Sequence, residues 1–359
     1  MTNHVYIIAE AGVNHNGDVE LAHQLLEAGA AAGADAVKFQ TFRPARLVTR
    51  TAAKAAYQLE TTDAAESQLA MLEKLALRDE DFVALAAHAQ ELGVEFLSTP
   101  FDEESLAFLV AHVKMPAIKI PSGEITNAPF LFRAARSGFD LLLSTGMSTL
   151  GEIEQALAVL AYGFLHESMP HGMEDCLCAY SSAEGQAALA RHVKLLHCTT
   201  QYPAPFAQAN LRAIGTMRRA FGLPVGYSDH TQGIAVPLAA VACGATIIEK
   251  HFTLDRAMEG PDHKASLEPG ELRAMVEGIR AVEQALGTGV KIPAETECAN
   301  RTIVRKSLVA ARDIAAGDAF TQENITAKRP AGGVSPMAYW TMLGRKAARA
   351  YDADEKIER

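Results

Sequence analysis

The sequence predicts an α/β fold, a (β/α)8 barrel of the TIM type followed by a small second domain. Eight short apolar runs alternate with alanine- and leucine-rich stretches of helical length. Buried parallel strands read as nearly continuous apolar runs, and alternation with helices builds a parallel sheet covered by helices. Eight such units in about 290 residues suit the size of a TIM barrel.

Each candidate strand runs from apolar into polar residues, which places the chemistry at the C-terminal ends of the strands. The strands are predicted at 5–10, 34–40, 94–99, 117–122, 140–145, 193–198, 224–229 and 245–250. The helices are predicted at 18–32, 79–93, 102–113, 128–138, 150–163, 208–221, 233–243 and 269–286. A doubly wound sheet is the alternative, but no glycine-rich dinucleotide-binding turn follows the first strand.

Two segments interrupt the alternation. Residues 41–78 are long and polar, and they suit a loop that partly covers the barrel mouth. Residues 164–186 delay the sixth strand and are interpreted as an insertion loop, since the C-x-C spacing of Cys176 and Cys178 does not fit common zinc motifs. The odd count of five cysteines in 359 residues favours reduced thiols over a disulfide framework.

Composition changes after the eighth helix. We predict a barrel domain at 1–287, a linker at 288–300 with glycine, proline and polar residues, and a small domain at 301–359. Residues 300–359 hold 11 basic and 7 acidic side chains, a net +4, against −14 for residues 1–299. A domain of roughly 60 residues is near the lower limit for independent folding.

The whole chain carries 33 basic and 43 acidic residues, a net charge of −10. That sign disfavours general nucleic-acid binding. No apolar run has the length of a membrane span, and the first residues lack the basic and apolar regions of a secretory signal. We therefore expect no nucleic-acid or membrane partner and a cytoplasmic location.

Polar side chains at two strand ends predict an anion-binding site. Lys38 lies near the end of the second strand, and Lys119 holds the matching position on the fourth, followed by Ser122. Two inward lysines with a serine and glycine amides can hold phosphate and carboxylate groups. Each lysine could instead pair with a carboxylate such as Glu10 or Glu124, but the matched pair favours a ligand.

Two histidines end neighbouring strands. His230 follows the seventh strand and His251 the eighth, about one strand spacing apart, near 4.8 Å, before their side chains converge. Such a pair can bind a divalent metal. A lone histidine is more often structural and the chain has 12, so residue types leave both interpretations open. Cys198 has no evident partner base in the sequence and is interpreted as a packed thiol.

Long, ordered motifs resemble those of the sialic acid synthase family. They are IIAEAGVNHNGD (7–18), DAVKFQTF (35–42), STPFD (98–102), IKIPSGEITN (118–127), STGM (144–147), LHCTTQYPAP (196–205), VGYSDHTQG (225–233), and EKHFTLD with GPDHKASLEP (249–269). The later RKSLVAARDIAAGD and NITAKRP resemble the antifreeze-like (SAF) domain of that family. The resemblance covers essentially the whole chain.

The resemblance implies condensation of phosphoenolpyruvate with an N-acetylmannosamine-type sugar, giving a nine-carbon 2-keto acid and phosphate. It implies a divalent ion, Mn²⁺ or Mg²⁺, held by His230 and His251. The phosphoenolpyruvate contacts that it implies are Lys38, Thr99, Lys119, Ser122 and Ser228, and the sugar contacts are Glu10, Gln40, Glu124, Tyr202 and Asp262. Glu124, Asp262 and Glu10 are the carboxylates expected to take part in catalysis.

Arg329 matches an arginine of the SAF domain that reaches into the partner's site in a domain-swapped homodimer. Thr200 stands where the family commonly has an asparagine for phosphate contact, and its hydroxyl can also donate. The 200–205 loop and the GPDHKASLEP stretch are closer to the bacterial branch that makes N,N′-diacetyllegionaminate from 2,4-diacetamido-2,4,6-trideoxymannose. N-acetylneuraminate is the other expected product.

Two rival functions stay open at this point. Condensation of phosphoenolpyruvate with a phosphorylated sugar would need additional arginines near the mouth and would lack the C-terminal domain. A non-catalytic surface-binding module carried on a scaffold barrel would leave a mouth with few convergent polar groups. The polar ends of all eight strands favour an enzyme.

Overall fold

The computed structural model describes residues 4–55, 58–59, 62–63 and 65–358. The chain divides into two compact units between Gly287 and Thr288. Within the described residues, no helix is both long and apolar enough to span a membrane.

The first unit is a parallel eight-stranded barrel surrounded by helices, which confirms the predicted fold class. Its strands are β1 (Tyr6–Gly12), β2 (Ala36–Thr41), β3 (Glu95–Pro100), β4 (Ala117–Ile120), β5 (Asp140–Ser144), β6 (Val193–Cys198), β7 (Val225–Asp229) and β8 (Ile247–His251). Hydrogen-bonded neighbours follow the order β3-β2-β1-β8-β7-β6-β5-β4, and β3 adjoins β4 at the remaining seam. The carboxyl ends of all eight strands therefore meet at one mouth.

Helices follow the strands and cover the barrel. They are α1 (Val19–Ala31), α2 (Pro44–Leu47), α3 (Gln68–Leu75), α4 (Asp79–Leu92), α5 (Glu103–His112), α6 (Ala128–Arg136), α7 (Leu150–Leu165), α8 (Met173–Tyr180), α9 (Ala183–His192), α10 (Arg212–Phe221), α11 (Ala235–Ala242) and α12 (Pro269–Leu286). Local signals set their ends: Asp18 caps α1 by accepting from the Glu20 amide at 2.8 Å, and Gly93 ends α4 in the left-handed conformation.

Inward-facing side chains form three layers in the barrel because alternate residues of each strand point inward. The middle layer is an apolar plug, made of Ile8, Ala36, Leu97, Ala117, Leu142, Leu196 and Ile247. Gly226 is required for that packing, because a Cβ there would lie 2.5 Å from Leu196 Cδ2 and 2.6 Å from Ile247 Cβ. Polar layers lie on either side: Tyr6, Glu95 and Lys194 at the amino-terminal end, and the candidate site at the carboxyl end.

Both interruptions contain more structure than a loop. The stretch 41–78, expected to be polar, includes α2 and α3 and an apolar cluster of its own, centred on Phe42, Met71 and Leu75. The stretch 164–186, expected to be an insertion loop, holds α8 and the start of α9. The side chain of Cys176 is buried in the main core, whereas that of Cys178 is exposed, so packing explains only the first of these two cysteines.

The second unit has a small core of its own around Leu308, Phe320 and Tyr351. It contains α13 (Glu295–Val304), the antiparallel pair β9 (Ser307–Ala310) and β10 (Ile325–Lys328), and a short helix α14 (Tyr339–Met342). The segment 288–300, predicted as a linker, therefore includes more than half of α13. The Glu297 carboxylate accepts from the Ala294 backbone amide at 2.7 Å and caps the start of α13. The Gly and Pro residues just before this helix had obscured it in the sequence.

Candidate active site

A cavity of about 380 Å³ opens at the carboxyl ends of the barrel strands. Most residues expected at the site line it: Glu10, Lys38, Gln40, Thr99, Lys119, Ser122, Glu124, Thr200, Tyr202, Ser228, His230, His251 and Asp262. They are brought together because each follows or ends a strand of the same parallel barrel. Arg329 belongs to the second unit, where it is exposed directly after β10.

Lys38 is buried at the base of the cavity among oxygen atoms. Its Nζ lies 2.5 Å from Glu10 Oε2 and donates to Thr99 Oγ1 at 2.9 Å. The Gln40 amide donates to Glu10 Oε1 at 3.1 Å, which fixes that carboxylate. Lys38 thus has the carboxylate partner that was considered in the sequence, and it still faces the cavity.

Glu249 is the site residue that sequence reasoning missed. Its Oε1 accepts from Lys119 Nζ at 3.0 Å and from Ser228 Oγ at 2.7 Å, and its Oε2 lies 3.6 Å from Lys38 Nζ. One buried carboxylate therefore joins both lysines, and Lys119 pairs with it rather than with Glu124. The signal was present, because Glu249 lies two residues before His251 on the same strand and must share its inward face.

The two carboxylates of this cluster differ in pKa. Burial raises the pKa of Glu10 despite the nearby Lys38 ammonium. Burial acts in the same direction on Glu249, but Lys119 and Lys38 together hold its pKa well below the usual range. Burial alone would lower the pKa of Lys38, but the neighbouring Glu10 and Glu249 outweigh it and raise that pKa. The base of the cavity therefore keeps Lys38 charged and Glu249 ionised.

His230 and His251 are both buried, with ring centroids 5.6 Å apart. Nδ1 of His230 lies 2.6 Å from the Thr199 carbonyl oxygen and donates to it. In the neutral ring, Nε2 is then the unprotonated nitrogen, whose lone pair can bind a metal. Burial lowers the pKa of His230 to about 4 and the pKa of His251 below its usual value. Two neutral imidazoles at this separation fit the nitrogen ligands of one divalent ion, whose Zn–N distance, for example, is about 2.0–2.1 Å.

Among the described residues, no group of three His, Cys, Asp or Glu side chains is arranged to hold a metal. Asp262 Oδ2 lies 3.9 Å from His251 Nδ1. Burial raises the pKa of Asp262 to about 7, with a smaller contribution from Glu10. Glu124 is half-buried on the opposite wall, where its Oε2 accepts from the Asn127 amide at 2.6 Å.

A tight corner beside β4 joins Ser122, Cys198 and Thr200. The Gly146 amide donates to Ser122 Oγ at 3.0 Å, and Ser122 Oγ lies 3.2 Å from Cys198 Sγ. A Cβ on Gly146 would lie 2.3 Å from Thr200 Oγ1, 2.7 Å from Ser122 Oγ and 2.9 Å from Cys198 Sγ. Only glycine lets the backbone approach this closely, so the corner presents a backbone turn and hydroxyls to the cavity.

Together, the fold and the site define a barrel enzyme with a buried, lysine-based anion site at the carboxyl ends of its strands. The NeuB family profile matches residues 25–291, and a SAF domain profile matches residues 305–357. The chain belongs to the NeuB family and carries a C-terminal SAF domain, as the sequence motifs indicated.

Three similar proteins show how far the likeness extends. The chain is 49% identical to an N,N′-diacetyllegionaminic acid synthase of Campylobacter jejuni over 98% of both chains. It is 42% identical to the N,N′-diacetyllegionaminic acid synthase of Legionella pneumophila, over 95% of this chain and 90% of that one. The crystal structure of an N-acetylneuraminic acid synthetase from Leptospira borgpetersenii superposes with a TM-score of 0.67 at 32% identity, covering 83% of this chain and 90% of that one.

Proposed function

We propose that this protein condenses phosphoenolpyruvate with an acetamido-mannose sugar to give a nine-carbon 2-keto acid and phosphate. The observation that carries the proposal is the pair of buried lysines, Lys38 and Lys119, joined by Glu249 at the base of the cavity. Phosphoenolpyruvate bears a carboxylate and a phosphate, and two fixed cations a short distance apart offset both groups. The relatives named as legionaminic and neuraminic acid synthases support the same reaction class.

In this reaction, C3 of phosphoenolpyruvate attacks the aldehyde carbon of the open-chain sugar and forms the new C–C bond. The electron pair of the enol double bond makes that bond, and water then adds to C2. The C–O bond to phosphate breaks, so phosphate leaves with the bridging oxygen and C2 becomes the ketone. Lys38, Lys119, Ser122, Thr99 and Ser228 bind and orient the anion, and the closed floor of the barrel excludes bulk water from its inner side.

A divalent ion, Mn²⁺ or Mg²⁺, bound by His230 and His251 would polarise the sugar carbonyl as a Lewis acid. The Thr199 carbonyl fixes the tautomer of His230 that such binding needs. The carboxyl groups of Glu10, Asp262 and Glu124 line the same cavity. They are the groups placed to give a proton to the new hydroxyl or to take one from the attacking water.

The remaining contacts are assigned to the sugar and to the partner subunit. Gln40 and Tyr202 face the sugar, and the Thr200 hydroxyl donates to phosphate. Arg329 is exposed and is assigned to the site of a second subunit in a domain-swapped homodimer. Phosphoenolpyruvate is an intracellular metabolite, which supports a cytoplasmic location.

A lysine variant at the site and a control lysine variant at the other end of the barrel test the proposal. Lys119 and Lys194 both point into the barrel, but on opposite sides of the apolar plug. Lys119→Met is expected to lower kcat/KM for phosphoenolpyruvate by at least a hundredfold, since one charged contact is lost in a buried site. Lys194→Met leaves it unchanged. Equal effects of the two variants, or no phosphate release with any acetamido sugar, would refute the assignment.

Three further measurements test its parts. Oxygen-18 at the bridging position of phosphoenolpyruvate leaves with phosphate, and its retention in the keto acid would contradict C–O cleavage. His251→Ala abolishes turnover that depends on added metal, and full activity of the chelated variant would exclude His251 as a ligand. Arg329→Ala mixed with an inactive barrel variant regains activity through hybrid dimers if the arginine acts across subunits.

A further inference from the structure

The two histidines of the cavity lie where the pairing between their strands stops. The ladder between β7 and β8 ends with Asp229 opposite Lys250. His230 follows Asp229 in the chain, and His251 follows Lys250. Main-chain pairing between these two strands therefore ends one residue before both histidines.

Each histidine is fixed by neighbours on the side away from the other. His251 is paired with Glu10 in the ladder between β1 and β8. The carbonyl oxygen of His230 accepts from the Ala204 amide at 2.8 Å, and its Nδ1 donates to the Thr199 carbonyl oxygen at 2.6 Å. These contacts tie the two histidines to different parts of the barrel and do not link them to each other.

A buried ion pair supplies a link between the two strand ends. Lys250 Nζ lies 2.6 Å from Asp229 Oδ2, and both side chains are fully buried. The same ammonium group donates to the carbonyl oxygen of Thr231. One side chain of β8 therefore contacts the residues on both sides of His230, and it belongs to the residue that precedes His251.

Asp229 also shapes the turn that carries His230. Its Oδ1 accepts from the Thr231 amide at 3.0 Å, and its Oδ2 accepts from the Thr231 hydroxyl at 3.1 Å. An aspartate that accepts from the amide two residues later closes an Asx turn, which fixes the backbone of the residue between them. In this turn, the residue between them is His230.

The ion pair and the histidines occupy opposite faces of the strands. Because successive residues of a strand point to opposite sides, Asp229 and Lys250 point outward, as does Ile248 of the main core. His230 and His251 line the cavity on the inner face. Asp229 and Lys250 therefore act on a ligand in the cavity through the positions of the two histidines.

We propose that Asp229 and Lys250 are positioning residues, which set the separation and direction of the His230 and His251 rings and thereby the affinity for a divalent ion. The inference rests on the proposed function, in which those two rings bind the ion. A buried ion pair adds little stability compared with well-packed apolar side chains. Its short, charge-assisted hydrogen bonds do, however, hold the groups that make them in a defined geometry.

Mn²⁺ binding to the whole chain, measured without substrates, tests the inference. A titration followed by the electron paramagnetic resonance signal of free Mn²⁺ gives the dissociation constant. Replacing groups that orient metal ligands weakens metal binding about 10- to 100-fold, and we expect Lys250→Met to raise the dissociation constant on this scale. The metal concentration that gives half-maximal turnover rises in parallel, whereas the KM for phosphoenolpyruvate at saturating metal stays the same.

Two further variants separate positioning from stability. Asp229→Asn combined with Lys250→Met leaves no unpaired charge, so part of the lost stability returns. The dissociation constant for Mn²⁺ nevertheless stays about tenfold or more above that of the unmodified protein, because the link between the strands is still missing. Thr231→Val removes only the hydroxyl that donates to Asp229, keeps the side-chain shape, and raises the dissociation constant severalfold.

Leu109→Ala is the matched control for a loss of stability alone. Leu109 is fully buried in α5, which follows β3 and lies across the barrel from β7. Its truncation leaves a cavity in the core and lowers the melting temperature. The dissociation constant for Mn²⁺, measured well below the melting temperature of every variant, stays that of the unmodified protein.

The outcomes distinguish failure of the metal site from failure of the inference. If the unmodified protein binds no Mn²⁺, or binds it equally well after His251→Ala, the metal site of the proposed function fails and the inference fails with it. If Mn²⁺ binding depends on His251 but the double variant regains affinity together with stability, the ion pair only stabilises the fold and the inference alone fails. The same holds if Thr231→Val, which is informative even where Lys250→Met does not fold, binds Mn²⁺ as tightly as the unmodified protein.

Discussion

Replacing Glu249 with glutamine removes the negative charge that compensates the two buried lysines, Lys38 and Lys119. The carboxylate contacts Lys119 at 3.0 Å and Lys38 at 3.6 Å, and its side chain is only 4% exposed. Removing one partner of a buried ion pair costs about 3–5 kcal/mol, because a charge stays buried without compensation. Since the glutamine can still accept from Ser228, we expect the free energy of unfolding to fall by about 3 kcal/mol.

Urea unfolding of the barrel, followed by circular dichroism, measures this loss. The control is Glu95→Gln at the other end of the barrel, where the partner is the neutral Tyr6 hydroxyl. Loss of that single hydrogen bond costs about 1 kcal/mol. Equal losses in the two variants would show that Glu249 does not compensate buried charge, and the electrostatic account of the site would be wrong.

Phosphoenolpyruvate provides a second readout of the same variant. In Glu249→Gln, two lysines face the cavity with one carboxylate fewer, so an anionic ligand gains more by binding. We expect its dissociation constant to fall about tenfold, which is 1.4 kcal/mol of additional stabilisation at saturating ligand. A weaker or unchanged affinity would contradict the placement of the anion over Lys38 and Lys119.

Three other predictions follow from buried groups and close contacts. Burial lowers the pKa of His15 from 6.5 to about 4, so the unfolded chain binds more protons than the folded one between these pH values. The free energy of unfolding therefore falls as the pH drops through that window, by up to about 1.4 kcal/mol per pH unit. Urea unfolding at several pH values should show a shallower fall in His15→Gln. Gly146→Ala places a methyl group within 2.9 Å of three cavity side chains and lowers kcat/KM for phosphoenolpyruvate tenfold or more. Gly172→Ala, at a glycine that does not line the cavity and has nothing within 4 Å of the new Cβ, leaves it unchanged. Lys250→Met leaves the fully buried Asp229, which Lys250 contacts at 2.6 Å, without its cation, and lowers the free energy of unfolding by about 3–5 kcal/mol. Adding Asp229→Asn restores part of the loss. A melting temperature of Lys250→Met as high as that of the unmodified protein would contradict the pairing.

Sequence reasoning reached the barrel because strand burial and period-two alternation are local properties. The same alternation predicts that Lys38 and Lys119 face the interior at one end of the barrel, and both line the cavity. The alternation was not followed back along β8 from His251, and Glu249 was therefore missed. Which carboxylate pairs with Lys119 depends on contacts between strands 130 residues apart in sequence, and no local pattern contains that information.

The apolar cluster within residues 41–78 was missed for a different reason. The stretch 41–78 was interpreted as a polar loop, but Met71, Leu72 and Leu75 share one face of α3 and are buried together. A composition averaged over a long connection conceals a helix of two turns, whose stability comes from tertiary packing rather than from its own propensity. The helices at 173–192 were concealed in the same way.

The apolar plug separates the polar layer at the amino-terminal end of the barrel interior from the polar layer at its carboxyl end. Tyr6, Glu95 and Lys194 at the amino-terminal end share no hydrogen bond with the lysine cluster in the described structure. Mutations at distant sites without shared partners combine additively. Substitutions at the amino-terminal end can therefore accumulate in evolution, or be selected in the laboratory for heat resistance, while the sugar chemistry at the opposite end is inherited unaltered.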